Sequence, residues 1–278
     1  MISPHTDPRD IPPGAPLRRG GIDDHGSFEL PTLILGSLPH SEPHDCALHR
    51  SFDEKRFGLS LLAPKGVGLP YGRFPRLILA HLWVQAARER TPDIILARSL
   101  RGLCSLLGVP QTGGPHGYSS LIKKQLSRLA CVTVFVNDRK DAARQESLDT
   151  VFSSAIVSSF STSLDSRRSP GSPVSLRLSE ELFEYLISQP VPLDLTILQR
   201  LRSPLYTLCT WRALPASRRR RPEMVTWHEL SQRLGADYTH LRSFRGSFIR
   251  HLKTVLHVSP DIRAEVTRDG LIVHPRRR

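Results

Sequence analysis

Hydrophobic positions along this chain follow two rhythms, one helical and one alternating, broken by clusters of Pro and Gly. Phe57-Gly58-Leu59-Ser60-Leu61-Leu62 reads as a strand closed by Pro64 and Gly66. Phe74-Pro75-Arg76 opens a helix, with proline suited to the first turn, and Leu77, Leu79, Ala80, Trp83, Val84 and Ala87 form its apolar face. Ser99 has the chemistry of an N-cap for a short helix carrying Leu100, Leu103, Leu106 and Leu107, which ends at Gly108. A Gly/Pro-rich stretch follows, then an amphipathic helix over 118–130. Residues 132–136 and 151–164 are β-rich, and the charged segment between them reads as a wing or a long hairpin loop. A turn at 169–173 and a further strand lead into a helix at 180–188.

Pro190-Val191-Pro192 cannot continue a helix and marks a boundary. Beyond it the pattern starts again. A helix over 194–214 is kinked at Pro204, and a basic loop at 218–222 follows. Thr226 caps a short helix over 227–234 that Gly235 stops, and a longer helix covers 238–256. Ala264-Glu265-Val266 and Leu271-Ile272-Val273 pair across Asp269-Gly270. Each half therefore reads helix, short helix, longer helix, β-hairpin. The expected fold is α+β: two tandem winged-helix domains, each a helix-turn-helix with a β-hairpin wing. Their expected bounds are 51–189 and 190–278, preceded by a flexible Pro/Gly-rich tail over 1–50 that buries too little to order itself.

Charge narrows the partner. The net charge is +13, and a strongly basic chain is drawn to polyanions. Residues 215–278 hold 14 Arg/Lys against 6 Asp/Glu, a surplus of 8 within that +13. A helix that reads duplex DNA needs an apolar face for its own domain and a polar, basic face for the major groove. In the second copy Leu241, Phe244, Phe248, Leu252 and Val255 form the first face. Thr239, Arg242, Ser243, Gly246, Arg250 and Lys253 form the second, where Gly246 would let the backbone come close to DNA. In the first copy Ser120, Lys123, Lys124 and Ser127, flanked by Arg128, suit phosphate contacts more than base discrimination. The glycines before that helix read as a flexible lead-in to an N-terminus able to hold a DNA phosphate. Arg218, Arg219 and Arg220, with Arg221 and the tail Arg276-Arg277-Arg278, read as phosphate-binding arms, and Arg263 and Arg268 lie at the wing.

Other chemistries find little footing. No Gly-Lys pair exists, which removes a Walker A loop. A nicking enzyme needs a metal-binding His-x-His pair, and no two of the 12 histidines are so spaced. His40, His44, Cys46 and His49 match no zinc spacing, and the 4 cysteines form no Cys-x-x-Cys pair. No apolar stretch approaches ~18 residues and the N-terminus has no signal-peptide core. The expectation is a soluble, cytoplasmic bacterial DNA-binding protein without catalytic activity, metal or cofactor, and without a membrane partner.

Several motifs resemble the RepA-type plasmid replication initiators. These are Leu69-Pro70-Tyr71-Gly72-Arg73-Phe74-Pro75-Arg76-Leu77-Ile78-Leu79, Leu106-Leu107-Gly108 followed by Gly113-Gly114, and Pro190-Val191-Pro192-Leu193-Asp194. Arg202-Ser203-Pro204-Leu205 and Trp227 with Phe244-Arg245 continue the series, and the similarity runs from about Phe57 to Pro275. The resemblance implies binding to repeated duplex sites (iterons) at a plasmid origin, help in melting nearby DNA, and recruitment of a host initiator and helicase. It also implies a monomer–dimer balance, with a homodimer that represses its own gene. A winged-helix transcriptional regulator without initiator activity is the alternative reading of the same residues.

Overall fold

The computed structural model describes residues 30–52, 57–138, 149–161, 173–188, 195–201, 222–234, 238–260 and 262–275. The expected tail over 1–29, the Pro190–Pro192 boundary, the helix beyond residue 201, the arms at 218–221 and 276–278, and the middle of the charged insert lie outside the described residues.

Helix α2 (Arg73–Glu89) is the hub of the first unit, buried almost continuously from Phe74 to Trp83. A helix apolar on nearly all sides has to be enclosed, and it is. Packed on it are α1 (Leu30–Ser37), strand β3 (Asp93–Ala97), α4 (Tyr118–Cys131), α5 (Glu180–Ser188) and α6 (Leu195–Arg200). Between β3 and α4 runs the short α3 (Leu100–Leu106), whose predicted cap is present: Gly102 N–H donates to Ser99 Oγ at 3.1 Å.

The structure corrects the boundary of the N-terminal tail. Residues 30–52 are folded: Leu30, Leu33, Ile34, Leu35 and Leu38 are core residues, and β1 (Ala47–Phe52) pairs with β2 (Phe57–Leu62). The buried Arg76 secures the C-terminus of α1. Its guanidinium donates to the carbonyls of Leu35 (2.9 Å), Leu38 (2.5 Å), Pro39 (3.3 Å) and Gly72 (2.6 Å). One cation thus satisfies several carbonyls at the negative end of a helix, which offsets the cost of burying it.

Among the described residues the strands form three antiparallel sheets, in the orders β1-β2-β4-β5, β3-β7-β6 and β8-β10-β9. Here β4 is Thr133–Asp138, β5 Asp149–Ala155, β6 Val157–Ser161, β7 Val174–Leu178, β8 Glu223–Thr226, β9 Ala264–Val266 and β10 Gly270–Val273. The β-rich stretch over 151–164 is two strands rather than one. It breaks at the buried Ile156, whose N–H bonds Val132 O (3.3 Å) and whose carbonyl accepts from Ser179 N–H (3.3 Å). Strand β5 therefore pairs with β4 in the four-stranded sheet, while β6 crosses to β7 and β3. The hairpin that closes the small sheet is β6–β7, while the charged insert joins the antiparallel pair β4–β5, as a long hairpin loop would.

The second unit has the element order that β3, α3, α4, β6 and β7 have within the first. Strand β8 leads into α7 (Trp227–Leu234), capped as expected by Thr226 Oγ1 accepting from Glu229 N–H (3.2 Å), then α8 (Leu241–Val258), then the β9–β10 hairpin. In both three-stranded sheets the strand preceding the helix pair hydrogen-bonds to the last strand of the hairpin, leaving the middle strand at the far edge. Phe244, Phe248, Leu252 and Val255 of α8 are buried, and the Phe248 ring meets Trp227 edge-on at 5.9 Å. Helix α7 also packs on α1 and β1, so the N-terminal segment touches both units.

Candidate nucleic-acid interface

The face of α8 opposite its buried aromatics is open. Arg242, Ser243, Gly246, Arg250 and Lys253 are all exposed, as is Thr239 just before the helix, and α8 carries no acidic residue. Leu241, expected in the apolar face, is the first residue of the helix and is instead 44% exposed. A Cβ on Gly246 would find nothing within 4 Å, so the protein's own packing does not require glycine there. Desolvation, then the Arg250 charge, holds the His251 imidazole below the usual histidine pKa.

Arg245 does something else. Its guanidinium lies over the Trp227 ring at 5.3 Å and donates to the carbonyls of Arg268 (3.2 Å) and Thr267 (3.4 Å). Trp227 Nε1–H donates to the same pair, at 3.1 and 3.3 Å. The turn between β9 and β10 is thus clamped to α8 through its backbone, leaving the Arg268 side chain exposed. Within that turn, Thr267 N–H bonds Gly270 O at 2.9 Å, so Gly270 already belongs to β10. A side chain at 270 would collide with Val225 O of β8, 2.1 Å from an added Cβ. Arg263, also exposed, precedes β9, and its carbonyl accepts from His274 N–H at 3.0 Å. Arg245 was not among the expected interface residues; its only signal in the sequence was adjacency to Phe244 in a family motif.

Helix α4 differs more from expectation. Lys124 and Ser127 are exposed, while Ser120 and Lys123 are half-buried. Ser120 Oγ–H donates to Gly114 O at 2.6 Å. The glycine-rich lead-in is hydrogen-bonded rather than loose. Thr112 takes Tyr118 N–H on its Oγ1 (2.9 Å) and Ser119 N–H on its carbonyl (3.2 Å), so two amides expected to hold a phosphate are already engaged.

Arg128, expected to flank the polar face of α4, is placed differently from the other candidates. It is buried, its Nη1 donates to Leu69 O (3.2 Å), its guanidinium stacks on Tyr71 at 5.0 Å, and its Nη2 donates to Glu42. A helical wheel placed it beside the polar face, but a loop 59 residues earlier in the chain folds over it. Gly68, with φ +79°, makes room, since a Cβ there would stand 3.2 Å from Arg128 Nη2. Glu42 collects two further donors, Lys124 Nζ at 2.8 Å and Tyr71 Oη at 3.1 Å. Its pKa is lowered to about 2, chiefly by the Lys124 hydrogen bond and then by that of Arg128. Tyr71 titrates above its ordinary value because it is desolvated and donates to that carboxylate. Neither Glu42 nor Tyr71 was singled out from the sequence for such a role.

Among the described residues no group of three or more His, Cys, Asp or Glu is placed to hold a metal ion. His49, one of the histidines weighed as a ligand, has its Nδ1 2.9 Å from Ser60 Oγ. No described helix is long and apolar enough to cross a membrane.

Helix α8, basic and without an acidic residue, thus follows a short capped helix and has the β9–β10 turn clamped beside it. The family follows from the sequence: the model of the plasmid-encoded RepA proteins matches residues 69–229, and the chain belongs to that family of plasmid replication proteins. The matched span begins at the Leu69 motif and includes Trp227. Among solved structures, the fold is similar to a crystal structure of domains 2 and 3 of RctB, with a TM-score of 0.57 and 14% identity over 87% of this chain and 94% of that one. A selenomethionine structure of the same two RctB domains gives a TM-score of 0.54 and 13% identity, covering 88% and 96%. No curated protein matches the sequence.

Proposed function

We propose that this RepA-family chain is a replication initiator that binds repeated duplex sites at a plasmid origin through tandem winged helices, with α8 as the main base reader. The carrying observation is the exposed Arg242, Ser243, Gly246, Arg250, Lys253 face of α8, set beside a hairpin that Arg245 and Trp227 hold in place. Guanidinium groups on such a face match the N7 and O6 acceptors of guanine in the major groove. The winged-helix reading draws support from the sheet order, which recurs in both units around a short helix followed by a longer one.

In this reading α8 supplies most of the sequence discrimination, and Arg263 and Arg268 contact the flanking backbone or minor groove. Lys123, Lys124 and Ser127 of α4 add phosphate contacts. The protein works in the cytoplasm by binding and deforming DNA, alone or as a homodimer, and by recruiting a host initiator and helicase; it turns nothing over chemically. Footprinting on the plasmid's own origin tests this. Arg242→Ala with Arg250→Ala should erase the protected repeats while the far-UV circular dichroism stays native; protection that survives the double substitution refutes α8 as the reader. Purified protein should neither hydrolyse ATP nor nick supercoiled plasmid, and a nicking activity lost on changing one residue would refute the non-catalytic reading.

A further inference from the structure

The carboxylate of Glu42 sits in the middle of the α4 surface just assigned to phosphate. Ser120, Lys124 and Ser127 are spaced along one face of that helix, with Lys124 at the centre. Glu42 reaches this face from the exposed connection between α1 and β1, more than 80 residues away in sequence. Three donors from two other elements, Tyr71 Oη, Lys124 Nζ and Arg128 Nη2, converge on its two oxygens.

We propose that Tyr71, Lys124 and Arg128 form a phosphate-binding site which Glu42 fills in the free protein and which a backbone phosphate of DNA takes over on binding. A phosphodiester, like a carboxylate, spreads one negative charge over two accessible oxygens, so the same donors serve either anion.

Three features fit an exchangeable occupant rather than a fixed core ion pair. Glu42 and Lys124 remain 47% and 49% exposed, so water screens their pairing and an incoming anion can reach it. Arg128 does not depend on Glu42 for its position: Leu69 O and the Tyr71 ring hold it, and Gln125 Oε1 fixes Tyr71 by accepting from its N–H at 2.9 Å. The site therefore survives departure of the carboxylate. Helix α1 is anchored separately, through the carbonyls held by Arg76, so Glu42 can leave without unpacking the core. DNA binding by the first unit then carries a built-in competitor that acts until a phosphate of the right register arrives.

The inference rests on α4 facing DNA, and the experiment separates the two claims. Fluorescence anisotropy of full-length protein with a duplex from its own origin, at several salt concentrations, compares wild type, Glu42→Gln, Lys124→Ala and the double variant. Glu42→Gln should bind about fivefold tighter, the factor a half-exposed ion pair can impose. That gain should vanish in the Lys124→Ala background, and Lys124→Ala alone should flatten the salt slope by about 0.9, one phosphate contact. In the wild type, hydrogen exchange over residues 41–46 should speed up on adding duplex while α1 stays protected. Unchanged affinity in Glu42→Gln, or a gain that persists without Lys124, overturns the site, and so does unchanged exchange over 41–46. If the wild type binds no duplex at all, the reading of α4 falls first and takes the site with it.

Discussion

Replacing Gly246 by Ala should raise stability and lower DNA binding at once, an opposition that only an external ligand explains. Glycine inside a helix costs about 0.5–1 kcal/mol relative to alanine because it gives up more conformational freedom on folding. Position 246 is the sixth of the 18 residues of α8, with ordinary helical backbone, and an added Cβ meets no atom within 4 Å. Nothing in the folded protein offsets the gain. Gly246→Ala should therefore raise Tm by about 1–4 °C, from the shift of about 2–4 °C per kcal/mol for a chain of roughly this size. On DNA the same methyl would stand where the helix backbone meets the groove, between Arg242 and Arg250. Displacing α8 enough to lose one good bidentate base contact costs about 1–3 kcal/mol, which is about five- to 150-fold in affinity. Differential scanning calorimetry and anisotropy on an origin duplex measure the two effects. A rise in Tm with unchanged affinity would refute the close approach; a fall in Tm would refute the claim that the space at 246 is empty.

Arg245→Ala should leave α8 folded but release the β9–β10 turn, so a footprint keeps its central protection and loses its flank; Arg245→Lys should restore little, since an ammonium does not span both carbonyls. Arg76→Leu should strip the partners from the carbonyls at the end of α1 and cost about 3 kcal/mol or more, seen as proteolysis N-terminal to residue 40 in a chain whose α4 remains protected. Stability should also fall as the solution is acidified through the usual histidine pKa. Desolvation depresses both His81 and His251, so below pH 6.5 the unfolded chain binds more protons than the folded one; a Tm flat from pH 7.5 to 5.5 would contradict this. At lower pH, Glu42 adds a further loss between its ordinary pKa of 4.5 and its folded value of about 2, which Glu42→Gln should abolish.

What could be read from the sequence was whatever depends on near neighbours. Helices α2, α3, α5 and α7 announce themselves through apolar spacing and the Ser99 and Thr226 caps, and the β9–β10 hairpin through its turn. Strands β3 and β8 did not. Each is short and lies at the edge of its sheet, and the buried positions, Ile94 and Leu96 in one and Val225 in the other, are too few to establish alternation. Helix α1 was hidden by its Pro/Gly-rich surroundings, because composition cannot tell that Arg76, 41 residues on, will hold its C-terminal carbonyls. The interface divided in the same way. The α8 face follows from helical geometry alone, whereas the fates of Arg128 and Arg245 depend on Leu69, Tyr71, Glu42, Trp227 and the carbonyls of Thr267 and Arg268, which only the fold brings near.

The central claim is that the α8 face reads the origin and that occupancy leads to its opening. Permanganate probing of a supercoiled plasmid carrying the origin measures this directly, because it modifies only unpaired thymines. The account predicts reactive thymines beside the repeats when wild-type protein is present with its host partners, and none with Arg242→Ala/Arg250→Ala. Full protection of the repeats by wild type with no reactive thymine under the same conditions would contradict it and leave a regulator that merely occupies its site.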